Sequence, residues 1–318
     1  MPPIILTNAD SGATARVLPE AGFTCYSLQI PVGTQLVDVL DSEPNFAETG
    51  ERPTRNGIPL LFPFPNRIRA GKYEWGGRSY ELTGLRLDDF GNIIHGMVFD
   101  RPWRVIELHD NSVTGRFQLS VDAPERRPLW PADFILDVHY ELLESSLHCN
   151  LRIRNPDTVT LPWGFGTHAY FKVPLARTSR RGDCIVQAPA NRQWELDENL
   201  PTGRRLLVTG DRDLREGQEL RELKFDDVYT DLEVREGQIT GAVIDPAAGL
   251  QITQTTDAAF RELVVFTPPH GRSVCLEPYT CVTDAIHLPA NADSGWQVLA
   301  PGAEFRTWFA IHAGLIYA

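Results

Sequence analysis

Five short stretches of the sequence carry polar or ionisable side chains in surroundings that are otherwise apolar or rigid. In chain order they hold Asn66 and Arg67 in PNRI, His95 in IHG, His168 in THAYF, Asp226 and Asp227 in FDDVY, and Glu277 in CLEPY. A histidine and a carboxylic acid, with no HExxH spacing and no GxSxG nucleophile, are typical of proton transfer on a bound polar substrate. The residue types therefore favour general acid–base catalysis without a metal.

His168 and Glu277 have the most informative surroundings. His168 alternates with Tyr170, which predicts that both side chains point to the same face of a strand. Glu277 lies inside an apolar strand, where a carboxyl group is costly to bury without a partner. A buried structural histidine is the alternative for His168, and a thiol nucleophile at Cys275 is less probable than a small core residue there.

The other candidates each have an ordinary structural explanation. Arg67 ends a proline-rich stretch that predicts a rigid loop or edge, and it could equally pair with a surface carboxylate. His95 precedes Gly96, so its ring could project from a strand end or lie buried. Asp226 and Asp227 could form a solvated turn.

Aromatic residues near these stretches suit the apolar faces of a sugar ring. They are Trp163, Tyr170, Phe171 and Tyr279. Together with the acid–base candidates, they favour a carbohydrate substrate.

The elements that must position these residues are strands. Helical periodicity is nearly absent, while short apolar or alternating runs recur between Gly, Pro, Asn and Asp. Residues 72–81 predict a hairpin around Gly76 and Gly77, residues 105–122 a second, and residues 134–155 a third. Residues 230–256 predict a meander, and three more strands follow. We expect one antiparallel β-sandwich domain over residues 1–318, with polar residues on a concave face lining a cleft.

Composition excludes several classes of protein. The 318 residues are 42% hydrophobic and carry a formal net charge of −12, which disfavours nucleic acid and anionic membranes as partners. The five cysteines form no CxxC pair, so a disulfide framework or zinc knuckle is not expected. The first residues lack the pattern of a signal peptide, and no apolar run is long enough to span a membrane. We expect a cytoplasmic protein.

The order of the five stretches resembles the aldose 1-epimerases, the galactose mutarotase-like family, from about residue 20 to the C-terminus. That resemblance implies a large β-supersandwich and an enzyme that interconverts α and β anomers of free aldoses without a cofactor. It implies a monomer or homodimer whose one partner is the sugar substrate. Hexose-phosphate 1-epimerases of the same superfamily and non-catalytic carbohydrate-binding proteins are the alternatives.

The resemblance also implies a role for each site residue. His168 would be the general acid, Glu277 the general base, and His95 would contact the substrate near the anomeric centre. Sugar hydroxyls would be bound by Asn66, Arg67 and either Asp226 or Asp227. Burial beside the aspartate would raise the pKa of His168, so that an acidic histidine and a basic glutamate coexist near neutral pH.

Departures from the family pattern place the preferred sugar in question. The segment around His95 is compact, and His287 stands where the best-known mutarotases have asparagine. A basic run could bind a phosphate group or form a solvated hairpin face; it comprises Arg67, Arg69, Lys72, Arg78 and Arg86. The net charge favours neutral aldoses over their 6-phosphates.

Overall fold

The computed structural model describes residues 2–316, most of which lie in short antiparallel strands. The first strands are β1 (Ile4–Thr7), β2 (Thr14–Leu18), β3 (Thr24–Val32), β4 (Gln35–Asp38), β5 (Leu60–Leu61), β6 (Arg67–Ile68), β7 (Lys72–Trp75), β8 (Arg78–Glu81), β9 (Ile93–Ile94), β10 (Arg104–Leu108), β11 (Ser112–Gln118), β12 (Ile135–Leu143) and β13 (Ser146–Arg154). The later strands are β14 (Leu161–Trp163), β15 (Gly166–Thr167), β16 (Ala169–Lys172), β17 (Ile185–Gln187), β18 (Ala190–Asp197), β19 (Leu200–Leu207), β20 (Gln218–Glu219), β21 (Asp226–Leu232), β22 (Gln238–Asp245), β23 (Leu250–Asp257), β24 (Glu262–Phe266), β25 (Ser273–Tyr279), β26 (Gln297–Leu299) and β27 (Glu304–Leu315).

Helices are few and short in the described residues. The α-helices are α1 (Phe46–Thr49) and α2 (Leu119–Asp122), of four residues each. Short 3₁₀ helices cover Pro53–Arg55, Arg69–Gly71, Pro124–Leu129, Arg181–Asp183, Gly210–Arg212, Ala285–His287 and Ala290–Ala292. None of the helices within residues 2–316 has the length and apolar character needed to cross a membrane. The prediction of an all-β fold is confirmed.

Two large antiparallel sheets carry most of the strands. One has the order β10-β11-β12-β13-β27-β23-β22-β17-β20, and the other β19-β18-β21-β24-β25-β15-β5, with β16 also paired to β25. Alternate residues of both sheets enter one apolar core, for example Leu151 of β13 and Leu276 of β25. The β25 strand is buried on both faces. Leu276 points into the apolar core, and its neighbour Glu277 points to the opposite face of the sheet.

The predicted hairpins are confirmed. β7 pairs with β8, β10 with β11, and β12 with β13. At the first turn, Gly76 and Gly77 have φ values of +57° and +75°, which glycine adopts at little cost and which a two-residue hairpin turn requires. Local alternation and turn chemistry are sufficient to specify these units.

The predicted meander over residues 230–256 is wrong at its first turn. β21 pairs with β18 and β24 in the eight-stranded sheet, whereas β22 pairs with β17 and β23 in the nine-stranded sheet. The chain therefore crosses between sheets near Glu236 and Gly237. The second turn, over residues 246–249, joins β22 to β23 as predicted. Strand alternation does not identify the partner strand, which depends on distant residues.

Candidate active site

A pocket of about 320 Å³ opens on one face of the eight-stranded sheet. Side chains from β21, β24 and β25 line it, together with residues from the segments 54–55, 66–67, 86–95 and 168–170 and with Asn199. Six of the seven residues singled out in the sequence line it, namely Asn66, Arg67, His95, His168, Asp226 and Glu277. Its volume lies in the usual range for small-molecule sites, about 300–1,000 Å³.

His168 and Glu277 form the centre of this pocket. Nε2 of His168 lies 3.2 Å from Oε1 of Glu277. The strand pairing explains the contact, because β15 and β16 both pair with β25, and His168 lies at the break between them, beside Glu277. Both residues are largely buried, with exposed fractions of 6% and 2%. An imidazole and a carboxyl group are thus held within proton-transfer distance.

The His168 ring is fixed by packing. It stacks on Tyr170 with 4.6 Å between ring centroids and 7° between planes, which confirms the prediction that both side chains share a face. The backbone N–H of His168 donates to the carbonyl oxygen of Pro59 at 3.1 Å. Among residues 2–316, Nδ1 of His168 has no hydrogen-bond partner. Within the described residues, Glu277 is therefore the one polar partner of the two ring nitrogens of His168.

The expected protonation of the pair is wrong. Burial lowers the pKa of His168 to about 3, while burial also raises the pKa of Glu277 well above its usual value, and the charge of Asp226 raises it further. Desolvation disfavours the charged form of both groups and outweighs any attraction of the histidine to Asp226. In the free protein the pair therefore holds one proton, on Glu277, beside a neutral His168.

Tyr279 holds the other carboxyl oxygen of Glu277, a contact that the sequence did not reveal. Its hydroxyl donates to Oε2 of Glu277, and this bond acts against the burial effect by lowering the pKa of Glu277. The Tyr279 ring fits because the opposite residue is Gly166, where an added Cβ would lie 2.3 Å from the ring carbon Cδ1. Gly166 thus makes room for Tyr279, whose hydroxyl orients the carboxyl group of Glu277.

Asn66, Arg67 and His95 form one hydrogen-bonded wall. Nη1 of Arg67 donates to Oδ1 of Asn66 at 2.6 Å, and the His95 N–H donates to the Asn66 carbonyl oxygen at 2.7 Å. Nε of Arg67 donates to Asp88 at 2.7 Å. Arg67 therefore pairs with a carboxylate, as the alternative interpretation expected, but that carboxylate lines the pocket instead of the outer surface. The rings of His95 and His168 lie 5.5 Å apart, and burial lowers the pKa of His95 well below its usual value.

The backbone at His95 and Gly96 joins this wall to the proline-rich loop. Both residues have positive φ, +74° and +80°, a region that glycine tolerates and histidine rarely adopts. A Cβ on Gly96 would lie 2.3 Å from the carbonyl oxygen of Phe62, and the N–H of Met97 donates to that oxygen at 2.7 Å. The two loops are therefore in direct backbone contact.

The structure separates Asp226 from Asp227. Asp226 lines the pocket and lies opposite Phe266 of β24, which also lines it. Desolvation by the surrounding pocket raises its pKa, against the charge of Arg67, although its side chain keeps contact with solvent. Asp227 points to the other face, where its carboxylate lies 3.3 Å from Nε of Arg212. Only Asp226 is placed to contact a ligand beside Glu277.

The predicted sugar-stacking aromatics are mostly elsewhere. Trp163 and Phe171 are fully buried in the core, and Tyr279 contributes its hydroxyl beneath Glu277 rather than a ring face. Tyr170 alone of the four lines the pocket. Proximity in sequence to the histidine does not determine which face of a strand a ring occupies.

Several pocket residues were missed by the sequence analysis. They are Thr54, Arg55, Asp88, Phe90 and Phe266, and, as a pocket residue in its own right, Arg86. Asp88 accepts hydrogen bonds from the backbone N–H groups of Phe90 and Asn92. The polar DDFGN stretch is a recognisable aspartate turn and could have indicated a structured loop. Arg55 has no such signal.

The predicted basic run is dispersed. Arg67 and Arg86 face the pocket, whereas Arg69 contacts Asp284 and Lys72 contacts Glu81. His287, which departs from the family pattern, also binds Asp284, with 2.6 Å between Nδ1 and Oδ1, and lies outside the pocket.

One group in the described chain could bring three metal-ligating atoms together. These atoms belong to His168, Cys275 and Glu277 and lie within 4.8 Å of one another. Burial raises the pKa of the Cys275 thiol well above its usual value, and the charge of Glu277 raises it further. Because the thiolate is the ligating form, this trio is better suited to proton transfer than to holding a metal.

Comparison with known proteins gives matches over nearly the whole chain. The model of the aldose 1-epimerase family matches residues 4–312. The uncharacterised protein YihR of Escherichia coli K12 is 26% identical over 267 residues, which cover 82% of this chain and 80% of YihR. A galactose mutarotase-like protein from Clostridium acetobutylicum has a TM-score of 0.86 at 21% identity, covering 96% of this chain and 94% of that one.

A homologue of GalM and aldose epimerase from Caenorhabditis elegans has a TM-score of 0.80 at 19% identity, covering 99% of this chain and 100% of that one. At these identities the structural likeness establishes the galactose mutarotase-like fold. The family model covers nearly the whole chain. The chain belongs to the aldose 1-epimerase family.

Proposed function

We propose that this member of the aldose 1-epimerase family interconverts the α and β anomers of an aldose such as glucose or galactose. The observation that carries the proposal is the buried contact of 3.2 Å between Nε2 of His168 and Oε1 of Glu277 in a polar pocket. Anomer exchange needs one proton donor and one proton acceptor close together, because the two oxygens concerned are bonded to the same carbon atom.

The chemistry follows from those two oxygens. In the cyclic sugar, C1 carries the hydroxyl oxygen O1 and the ring oxygen O5. Glu277, as carboxylate, takes the proton from O1 while His168, as imidazolium, gives one to O5. The C1–O5 bond breaks and an aldehyde forms at C1. Rotation about C1–C2 presents the other carbonyl face, and the reverse transfers close the ring as the opposite anomer.

The resting protonation of the pair fits one stage of this cycle. Ring opening leaves His168 neutral and Glu277 protonated, which is the state that burial favours in the free protein. The cyclic sugar requires the proton to move from Glu277 to His168, a transfer across their direct contact. The pair carries one proton throughout, so opening and closing need no proton from solvent.

Other pocket residues would bind the sugar hydroxyls. Arg67 and Asn66 offer donors and an acceptor on one wall, Asp226 offers a carboxylate, and Phe266 and Tyr170 offer aromatic surface. A purely sugar-binding protein would not require a buried acid–base pair, and the presence of both His168 and Glu277 supports turnover.

Exchange spectroscopy between the anomeric protons of glucose and galactose tests the proposal. Purified protein should accelerate α–β exchange, and His168→Asn should lower the catalysed rate by about 10²-fold or more, the usual effect of losing a positioned proton-transfer group. His287→Asn is the matched control, because His287 lies outside the pocket, and it should retain the wild-type rate. No acceleration of any aldose by the folded wild-type protein would refute the proposal.

A further inference from the structure

A hairpin over residues 86–94 places two exposed apolar side chains beside the opening of the pocket. Leu87 and Phe90 both line the pocket, and their exposed fractions are 60% and 54%. Between them in the sequence lie two acidic residues, Asp88 and Asp89. The acid–base chemistry uses neither apolar side chain. Neighbouring exposed apolar groups beside a polar cavity are typical of a surface that binds a ligand.

Hydrogen bonds hold this hairpin in one conformation. The N–H of Asp88 donates to the carbonyl oxygen of Asn92 at 2.8 Å, and Leu87 lies opposite Ile93 in an antiparallel bridge. Within the turn, Oδ1 of Asp88 accepts the backbone N–H groups of Phe90 at 3.0 Å and Asn92 at 2.8 Å. The backbone that carries Phe90 is therefore fixed before any ligand binds, which lowers the entropic cost of using it as a contact surface.

The same turn adjoins the polar side of the pocket. Oδ2 of Asp88 accepts a hydrogen bond from Nε of Arg67 at 2.7 Å. Burial raises the pKa of Glu277 and of Asp226, and the charge of Arg67 opposes that rise in both, which places Arg67 close to the two carboxyl groups. The hairpin thus presents apolar surface next to the groups that are suited to sugar hydroxyls.

An aldopyranose has C–H surface that hydroxyl-binding groups leave uncovered. In glucose and galactose the axial hydrogens on C3 and C5 lie on one face of the ring, and they do so in both anomers. Anomer exchange alters the configuration at C1 alone. An apolar contact is not directional, so a ring placed against C3 and C5 can bind both anomers and the open-chain aldehyde.

We propose that Phe90, together with Leu87, is the platform that binds this C3–C5 face of the sugar and makes the enzyme specific for aldoses without an axial hydroxyl there. This inference rests on the proposed function and names a residue that determines its specificity. D-allose differs from glucose only at C3, where its hydroxyl is axial and points from this face. Contact with Phe90 would strip that hydroxyl of water without replacing its hydrogen bonds. The axial hydroxyl of galactose is on the opposite face and is tolerated.

The test compares Phe90→Ala with the wild type in anomer exchange on glucose and on D-allose. Because the platform contacts the cyclic and open forms alike, its loss should raise the KM for glucose by about tenfold and leave kcat within about twofold. The wild type should prefer glucose to allose by about tenfold in kcat/KM, and Phe90→Ala should reduce that preference to about threefold or less. Phe90→Tyr keeps the ring and should retain both the KM and the preference.

A binding measurement separates the platform from catalysis. In the Glu277→Gln background, which removes the proton acceptor, adding Phe90→Ala should raise the Kd for glucose by about tenfold in calorimetry. Leu36→Ala is the matched control, because Leu36 on β4 is 59% exposed and lies outside the pocket. It should leave KM, Kd and the preference for glucose unchanged.

Two results would overturn this inference while the epimerase proposal stands. One is a folded Phe90→Ala protein whose KM and preference for glucose match the wild type. The other is a loss that falls on kcat alone, with KM and Kd unchanged, since that would assign Phe90 to the chemical step rather than to a contact with the sugar. Absence of exchange on any aldose by the folded wild-type protein would instead refute the epimerase proposal itself.

Discussion

Glu262 and Glu277 are buried carboxyl groups on neighbouring strands of the same sheet. In the register of β24 and β25, Glu262 lies opposite Tyr279 and Val264 opposite Glu277, so both glutamates point to the same face. Their exposed fractions are 1% and 2%. They nevertheless occupy different environments, since Glu277 opens into the pocket and Glu262 does not line it.

Their partners explain the difference. Oε2 of Glu262 accepts a hydrogen bond from the indole N–H of Trp194 at 2.9 Å, a donor that does not titrate, beside a small apolar cluster that includes Val264 and Tyr279. Glu277 contacts an imidazole that can take or give a proton. Burial raises the pKa of both acids. A raised pKa alone therefore does not mark a catalytic group, whereas access and a proton-exchanging partner do.

The largest expected contrast is in activity. Glu277→Gln should lower the catalysed rate of anomer exchange by about 10²-fold or more, because it removes a positioned proton acceptor at nearly constant shape. Glu262→Gln, the same chemical change on the same sheet face, should keep the rate within about twofold. Both are measured by polarimetry on freshly dissolved α-glucose.

Two results would break this comparison. One is a folded Glu277→Gln protein with a near wild-type rate; the other is an equal loss in Glu262→Gln. Combining Glu277→Gln with His168→Asn should be little worse than the worse single change, since groups that act as one unit are not additive.

The pH dependence of kcat/KM sharpens the comparison. Because burial lowers the pKa of His168 to about 3, the pair takes up a second proton only near that pH. The rate at pH 4.5 should therefore lie within about twofold of the rate at pH 6. A histidine with its ordinary pKa of about 6.5 would instead make the rate change as the pH drops below that value. Initial rates over pH 4–9 measure this, with folding followed by fluorescence, and an acid limb near 6.5 would contradict the one-proton pair.

A separate contrast is in stability, and it belongs to Glu262. Its pKa is raised by burial to about 8 in the folded protein, so between about pH 4.5 and 8 the folded state binds more protons than the unfolded state. The free energy of unfolding should then fall as pH rises across that range, by roughly 1.4 kcal/mol per unit.

Glu262→Gln should remove that part of the slope in denaturant titrations at pH 6, 7 and 8. Glu74→Gln, on the exposed side of β7, is the control and should leave the slope as in the wild type. An unchanged slope in Glu262→Gln would show that this carboxyl group is not the source.

What the sequence predicts well is local. Alternation and turn residues specify hairpins such as β7–β8, and the two-residue spacing of His168 and Tyr170 specifies their common face. The ordered motifs also identify six residues that the fold brings to one pocket. These inferences depend on geometry within a strand, which the backbone repeats regardless of context.

What the sequence does not predict depends on distant neighbours. The neutral state of His168 follows from burial depth, which the local residues do not reveal. The choice between Asp226 and Asp227 follows from the register of β21 against β24. Arg55 joins the pocket from a 3₁₀ turn with no motif of its own, so only the folded chain shows that it lines the same cavity as His168 and Glu277.

The close approach of Gly96 to Phe62 also constrains how this protein can change over generations. Any side chain at position 96 would push against the backbone of the proline-rich loop, which ends in Asn66 and Arg67, and would displace His95 at the same time. Substitutions in these two stretches, which are separated by some thirty residues of sequence, are therefore expected to depend on each other. Selection can change the ligand specificity of either stretch only through substitutions that the other stretch accommodates.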